Sequence, residues 1–338
     1  MRRLERPIAT DPKTAAASRF RSFAPEAEKE VREAEVQRSP IIDKMRKRWE
    51  GMGFSESIDE RDKSYRECLD AISGLEYSAK DVESFSLVLF EYKHDGAWTM
   101  KPGMFLSALI NEGREYDYTV HTTGIENFLL LGYRNRKHVV IDGDGGSDLA
   151  ESMEKGRIEV KGSAGHDCGR NMEGGSIIIE GDMGDFCGAQ MIDGLIRVRG
   201  DAGKNCGHLK RKGTIIVQGD ADEYCGNKME GGSIYVRGDS GHSCGIELRK
   251  GNIFVGGDAS RWCGNRMSGG RVFVRGNANT YCGQEMEGGT LSVSGDVGAD
   301  CGWLMRGGQI HVDGIIAGLS KSIKGGRIFH KGELIWPK

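Results

Sequence analysis

Proline is missing from the whole stretch between Pro102 and Pro337 of this 338-residue chain. Because proline cannot donate a backbone hydrogen bond, its absence is typical of a segment in which nearly every N–H group joins a β-ladder. The sequence also has no run of 18 apolar residues, so we expect no transmembrane helix. These two absences favour a β-rich chain that does not engage a membrane.

An excess of either charge is missing as well. The chain has 47 Lys and Arg residues against 50 Asp and Glu residues, and its formal net charge is -3. A general nucleic-acid-binding protein is expected to be basic. We therefore expect no nucleic-acid partner.

The first residues, MRRLERPIAT, lack the apolar core of a secretion signal. Residues 1–24 contain six basic and two acidic residues, a composition that an organelle transit peptide could share, but a flexible tail is the favoured interpretation. Without export, the nine cysteines are expected to stay reduced. The prediction is a cytoplasmic protein with free thiols.

Eight of the nine cysteines recur at one fixed interval of 19 residues. A fixed short period predicts a single structural unit that is copied and stacked, which is a solenoid. The cysteines of this column are Cys168, Cys187, Cys206, Cys225, Cys244, Cys263, Cys282 and Cys301.

Each unit contains a short run in which apolar residues alternate with mixed ones. In one unit Ile177 and Ile179 share one side, and Ser176, Ile178 and Glu180 share the other. Alternation with β-branched residues on one side predicts a half-buried strand. Nineteen glycine-rich residues cannot hold two helices, so residues 137–338 are predicted to form a parallel β-helix of about ten coils, spaced about 4.8 Å apart.

The chain before the repeats has a different pattern. Residues 1–40 hold four of the six prolines and are predicted to be a flexible tail, within which residues 26–36 could form a polar helix. Residues 41–136 are predicted to form a small α-rich domain that covers the first coil, because a solenoid must cap its apolar end. The apolar groups that predict helices are Ile42, Met45 and Trp49; Tyr65, Leu69 and Ile72; Phe85 to Tyr92; and Met104 to Ile110.

Three further segments flank the repeats. Tyr116–Thr122 and Asn127–Gly132 are predicted to be strands that lead into the first coil. At the other end, residues 334–336 (Leu-Ile-Trp) could cover the last coil. The fold class is therefore mainly β, with a helical cap at the N-terminal end.

The cysteine column has two interpretations. It could be a redox relay or a track for soft metals, or cysteine could simply be a small apolar residue that fills a narrow corner. Metal motifs usually bring ligands together with C-x-x-C spacing, which is absent here. The filling role is favoured, and we predict no metal site and no cofactor.

An acidic residue recurs after the glycine that ends each strand. Stacked carboxylates could bind calcium between coils, or they could accept hydrogen bonds from turn N–H groups, as Asn and Ser also can. Because Ser163 and Asn277 occupy the same column, the turn role is favoured. The acidic members are Asp144, Asp182, Asp201, Asp220, Asp239, Asp258 and Asp296.

Aromatic residues form a third column, in the position before the cysteine. They could make an exposed stripe that binds a protein or a sugar, or they could pack the corners of the coils. No Ser/His/Asp or paired-carboxylate constellation is visible, so no catalytic residue is predicted. The candidate partner stripe is Phe186, Tyr224, Trp262 and Tyr281.

The unit G-G-x-I-x-V-x-G-D-x-G-x-x-C-G-x-x-M resembles the GXGXG repeat of the C-terminal domain of the glutamate synthase large subunit. It resembles equally the repeat-containing subunit of formylmethanofuran dehydrogenase. Gly231–Gly245 and Gly269–Gly283 show the resemblance well, and it covers about residues 137–332. It implies a right-handed parallel β-helix that holds other catalytic units together and has no reactive group of its own.

Three functions remain as hypotheses. The favoured one is a non-catalytic β-helix scaffold that organises protein partners, through residues 1–125 among other surfaces, or self-associates into a homo-oligomer. The second is an accessory subunit of an oxidoreductase complex, similar to glutamate synthase or formylmethanofuran dehydrogenase, with catalysis on other chains. The third is a thiol-ladder protein with a redox or metal-binding role.

Overall fold

The computed structural model describes residues 39–55, 57–89, 100–123 and 129–337. The predicted tail over residues 1–40 lies outside this range except for its last two residues, and so does the predicted helix over residues 26–36. The described helices are α1 (Pro40–Gly51), α2 (Arg61–Ile72), α3 (Ala79–Leu89) and α4 (Lys101–Glu112), with a short 3-10 helix (Ile58–Glu60) before α2.

The first two helices bury one stripe each. In α1 the buried residues are Ile42, Met45 and Trp49, as their helical spacing predicts. In α2, Tyr65 and Ile72 are buried as expected, but Leu69 is only partly covered. Ser64 and Cys68 complete the buried stripe of α2 instead, because they lie nearer its centre.

The next two helices are more deeply buried. Helix α3 begins at Ala79, earlier than the predicted Phe85, and residues 90–92 of that prediction lie outside the described residues. Helix α4 has Pro102 in its first turn, a favoured position for proline. Every residue of α4 from Pro102 to Ile110 is buried, so this helix is the core of the helical region. None of the helices in the described ranges is both long and apolar enough to span a bilayer.

Helix α4 packs directly on the backbone that enters the β-helix. A β-carbon on Gly103 would collide with the carbonyl oxygen of Leu129, so the two backbones can approach only because residue 103 is glycine. The hydroxyl of Ser107 lies 3.0 Å from the carbonyl oxygen of Leu130 and accepts the N–H of Tyr133 at 3.2 Å. The helical region is therefore tied to the start of the rod by buried polar contacts.

An ion pair also joins α2 to the first coil. Arg61 lies 2.7 Å from Glu151 and 3.6 Å from Asp148, and all three side chains are largely buried. Burial raises the pKa of both carboxyl groups, and the guanidinium opposes that rise. Because removing one partner of a buried pair leaves an uncompensated charge, this contact favours one fixed docking of the helices.

Within the described residues, thirteen strands form a single sheet in chain order. Strands β1 to β12 are parallel and in register, with one irregularity between β9 and β10. They are β1 (Asp117–His121), β2 (His138–Asp142), β3 (Arg157–Val160), β4 (Ser176–Ile179), β5 (Leu195–Val198), β6 (Thr214–Val217), β7 (Ser233–Val236), β8 (Asn252–Val255), β9 (Ser268–Val274), β10 (Gly288–Val293), β11 (Gln309–Val312) and β12 (Arg327–His330).

The parallel β-helix predicted from the repeat is confirmed, with eleven coil strands from β2 to β12 rather than about ten. The ladder also starts earlier than residue 137, since β1 pairs with β2 residue for residue. The strand predicted over 127–132 is not formed in its described part. Leu129 makes only an isolated bridge to Ser147, and a turn follows.

The inward side of each strand forms the core. Each coil from β2 to β11 contributes two aliphatic residues, such as Ile196 and Val198, that are buried between the neighbouring coils. Burial of one such side chain contributes about 1.5–3 kcal/mol, so each coil depends on the coils above and below it. A column of small residues, including Ala202 and Ala221, closes the next corner through single bridges between coils.

Two successive turns carry the chain past each cysteine. In one coil the N–H of Ala189 donates to Phe186 at 3.0 Å, and the N–H of Met191 donates to Gly188 at 3.2 Å. Gly188 has φ +59, and a β-carbon there would lie 2.7 Å from Ile215 of the next coil. Glycine after the cysteine is therefore required by both the backbone angle and the packing.

The period falls to 18 residues at the last coil, where Ile310 pairs with Ile328, as the glycine spacing predicts. The final strand β13 (Glu333–Trp336) pairs antiparallel with β12. Residues 334–336 therefore cover the last coil, as the sequence predicts, by adding a strand along the free edge of β12, while Leu334 stays 50% exposed.

Candidate interaction surfaces

The eight repeat cysteines lie inside the rod. All are at most 1% exposed. Burial raises the pKa of Cys168 and of Cys301 at the two ends of the column. Since the thiolate is the form that reacts or binds metal, this environment favours the filling role.

The methionine column lines the same interior. Met172, Met191, Met229, Met267, Met286 and Met305 are all fully buried. Cysteine and methionine together give a polarizable, apolar filling that adapts to small irregularities between coils. Across the part of the chain that the structure describes, no three His, Cys, Asp or Glu side chains are grouped as metal ligands.

The acidic column acts on the backbone. The Oδ1 atom of Asp220 accepts the N–H of Asp239 at 2.8 Å, and Asp239 accepts the N–H of Asp258 at 2.8 Å. Asn277 and Ser163 make the equivalent bond with their own oxygens. Each side chain thus satisfies an N–H of the next coil, which is the turn role expected from the sequence.

The predicted aromatic stripe is not one continuous surface. Trp262 and Tyr281 stack on each other with ring centroids 6.4 Å apart. Phe186 instead meets His208 edge-on at 6.1 Å, and Tyr224, which is 37% exposed, stands apart from both groups. These residues lie in the turns at the coil corners.

The corner aromatics also adopt an unusual backbone angle. Each has φ between +61 and +65, in the left-handed region that bulky residues rarely occupy. The cost is offset because the backbone N–H then reaches the adjacent coil, as from Tyr224 to His242 at 2.8 Å and from Trp262 to Thr280 at 3.1 Å. The residue before the cysteine therefore has a structural role, since its backbone N–H links adjacent coils whether or not its side chain binds a partner.

A second aromatic column, which the sequence alone did not reveal, lies on the outer side of the sheet. Tyr235, Phe254 and Phe273 are 41%, 37% and 38% exposed and occupy equivalent positions of β7, β8 and β9. Tyr235 and Phe254 are stacked with centroids 4.9 Å apart and planes 3° from parallel. The only sequence signal was that outward strand positions are mixed, with aromatics in three consecutive units.

Arginines flank this second column. Arg197, Arg237, Arg271 and Arg275 are exposed on the same side of the sheet. None of them forms an ion pair with a residue that the structure describes. We call these four arginines, together with Tyr235, Phe254 and Phe273, the arginine–aromatic face.

Comparison with known proteins agrees with the repeat geometry. The family model described as GXGXG motif matches residues 187–328. The match lies wholly within the rod. The resemblance expected from the sequence is thereby confirmed over these residues, which include all of the arginine–aromatic face.

One solved structure similar to this chain is the formyltransferase/hydrolase complex FhcABCD from Methylorubrum extorquens in complex with methylofuran. The two chains are 22% identical, with a TM-score of 0.33. The match covers 55% of this chain and 59% of that chain, so only part of the other chain's length is represented here. No curated protein matches the chain significantly in sequence.

Within the GXGXG repeats, Lys210 replaces the methionine of its coil. Its side chain is fully buried, and Nζ donates to the carbonyl oxygens of Gly213 at 2.7 Å and Gly231 at 3.3 Å. Burial lowers the pKa of this lysine to about 8. The sequence has a lysine where neighbouring repeats have methionine, but only the structure shows that the ammonium group stays inside.

Proposed function

We propose that this chain is a structural subunit, a β-helix scaffold that organises protein partners while catalysis takes place on other chains. The observation that carries the proposal is the arginine–aromatic face, which is exposed on a rigid parallel ladder and has no counter-charges of its own. Exposed aromatic groups beside arginine are the composition enriched at protein interfaces. The GXGXG match supports the proposal because the resemblance implies a scaffold.

The rod is physically suited to this task. Its coils are held by backbone hydrogen bonds on both sides, so outward side chains recur at fixed intervals of about 4.8 Å along one direction. A partner that binds several rungs finds its contacts already positioned, which reduces the entropy lost on association. The helical region, including residues up to 125, offers a second surface for a different partner.

The finer form of the proposal is an accessory subunit of an oxidoreductase complex, of the glutamate synthase or formylmethanofuran dehydrogenase kind. The GXGXG match favours it over an unrelated scaffold, since both families use this repeat beside catalytic units. In this form the partners contain the redox groups, and the present chain only holds the catalytic subunits in position.

The test is purification of the full-length chain from its own cells under native conditions, with a small affinity tag. We expect one or more proteins to co-elute with the chain in a fixed molar ratio through a second, size-exclusion column. Chemical cross-linking should join these proteins to residues of the rod. For the finer form, the complex is expected to contain flavin, iron–sulfur, molybdenum or tungsten proteins. A chain that elutes alone at the mass of a monomer or homo-oligomer would contradict both forms.

A further inference from the structure

We propose that the arginine–aromatic face is the docking surface for an acidic protein segment that also presents apolar side chains. This inference rests on the proposed scaffold function and names the chemistry of one partner. The face covers the outer side of β5 to β9, which is five rungs or about 20 Å along the rod.

The first argument is the absence of counter-charges where the fold could easily supply them. At the first rung Arg199, which occupies the same column as Arg237 and Arg275, is paired with Glu180 of the preceding coil, and away from the sheet Arg266 is paired with Glu285. On the outer side of β5 to β9, no strand residue and no residue immediately after a strand is acidic. The charges of Arg237 and Arg275 are thus left for a partner.

The second argument is the exposed apolar area between those charges. Tyr235, Phe254 and Phe273 form one continuous column, with the second pair of rings 6.4 Å apart and tilted by 51°. Aromatic side chains flanked by arginine are typical of the residues that contribute most binding energy at interfaces. A purely acidic partner would leave these rings in water, so we expect the partner to bring apolar groups as well.

The third argument separates a protein partner from a single-stranded nucleic acid. Bases bind by stacking on free aromatic faces. Here one face of Tyr235 and one face of Phe254 are occupied by each other, so fewer ring faces are left for bases and the ring edges become the main contact surface. Ring edges carry partial positive charge, which suits carboxylates and packed side chains better than bases.

The experiment uses the full chain and a dye-labelled random copolymer of glutamate and tyrosine, with binding followed by fluorescence anisotropy. The double variant Arg237→Glu, Arg275→Glu should bind the copolymer about tenfold more weakly than the native chain. Phe254→Ser should weaken binding by about threefold or more, because it removes apolar contact and leaves the charges in place.

The matched control is the double variant Lys250→Glu, Arg261→Glu. These two side chains are also exposed, lie in turns away from the sheet face, and change the net charge by the same amount. The control should bind within about twofold of the native chain. Circular dichroism of each variant checks folding, and the milder Arg237→Gln, Arg275→Gln pair should show a smaller loss in the same direction.

Several results would overturn the proposal. Equally weak copolymer binding by the control variant would mean that net charge alone matters. Native affinity of the Arg237→Glu, Arg275→Glu variant for the copolymer would exclude this face. Tighter binding of oligodeoxythymidylate than of the copolymer would reassign the face to nucleic acid. If every co-purified partner persists with the Arg237→Glu, Arg275→Glu variant, the docking surface is wrong and the scaffold stands. A native chain that binds the copolymer but purifies alone contradicts the scaffold only.

Discussion

Lys210 is the residue at which the rod departs most from its own repeat. In the other coils this position holds a methionine or another side chain without charge, as with Leu248, while here an ammonium group sits among apolar neighbours. Two carbonyl oxygens accept its hydrogens, but carbonyls compensate a charge less well than water does. Burial therefore lowers the pKa of Lys210 from 10.5 to about 8.

Replacing Lys210 by methionine should stabilise the protein at pH 7 by about 2 kcal/mol, because the desolvation cost disappears and the methionine column becomes continuous. The unfolded lysine keeps its proton up to about pH 10.5, whereas the folded one loses it near pH 8. Between these values the unfolded state binds more protons, so the stability of the native chain rises with pH.

Urea unfolding of the native chain and Lys210→Met at several pH values checks this prediction. The difference between them should be constant below about pH 8 and shrink above it. Leu248→Met, in an uncharged position of the same column, is the control and should show no such pH dependence. A lower stability of Lys210→Met at pH 7 would contradict the expectation.

The coil is the element in which side chain and backbone are most closely linked. Asp239 shows the link, since it accepts an N–H from the coil that follows it and its own N–H is accepted by Asp220. The column transmits one hydrogen bond per coil, and a shorter apolar residue would leave an N–H without that partner. Neighbouring carboxylates also repel each other at this spacing.

Asp239→Ala should therefore lower the free energy of unfolding by about 1 kcal/mol, through loss of one hydrogen bond. Asp239→Asn should leave it unchanged or raise it, because the amide oxygen can accept the same N–H without the repulsion, as Asn277 already does. Thermal unfolding of the two variants measures the contrast. Equal losses for both would show that the carboxylate charge is what the coil requires.

At the scale of these elements, the inner side of the strands was predictable and the helices less so. Ile177 and Ile196 fall on the predicted side because only apolar residues can occupy a closed interior. The extent of α3 was missed since its first turn has few apolar residues to mark it. The outer side of β7 to β9 was left unassigned because exposed positions tolerate any residue type.

The whole rod behaves as a one-dimensional stack, in which each coil is stabilised by its two neighbours. Coils at the ends have the fewest neighbours, so they should open more often than those in the centre. The cysteine column provides a reporter in eight consecutive coils, since each thiol is buried in the native state.

We expect the repeat thiols to resist a thiol reagent in native buffer and to react as denaturant opens the rod, with Cys301 labelled before Cys225. Pulsed alkylation followed by peptide mass spectrometry gives the rate for each cysteine. Rapid labelling of the central thiols in native buffer would contradict the packed interior. Stoichiometric binding of Cu(I) or Zn(II) by the folded chain would favour the redox or metal hypothesis.

The stacked architecture follows from the amino-acid sequence, because a strict 19-residue period with apolar inward positions is satisfied by repeating one coil around a closed core. The amino-acid sequence also determined the interior columns and the turn role of the acidic residues. Only the tertiary structure decided which outward residues meet. Residues 19 apart in the chain become neighbours about 4.8 Å apart in space, and that stacking brings Tyr235 onto Phe254 and leaves Arg237 and Arg275 without counter-charges.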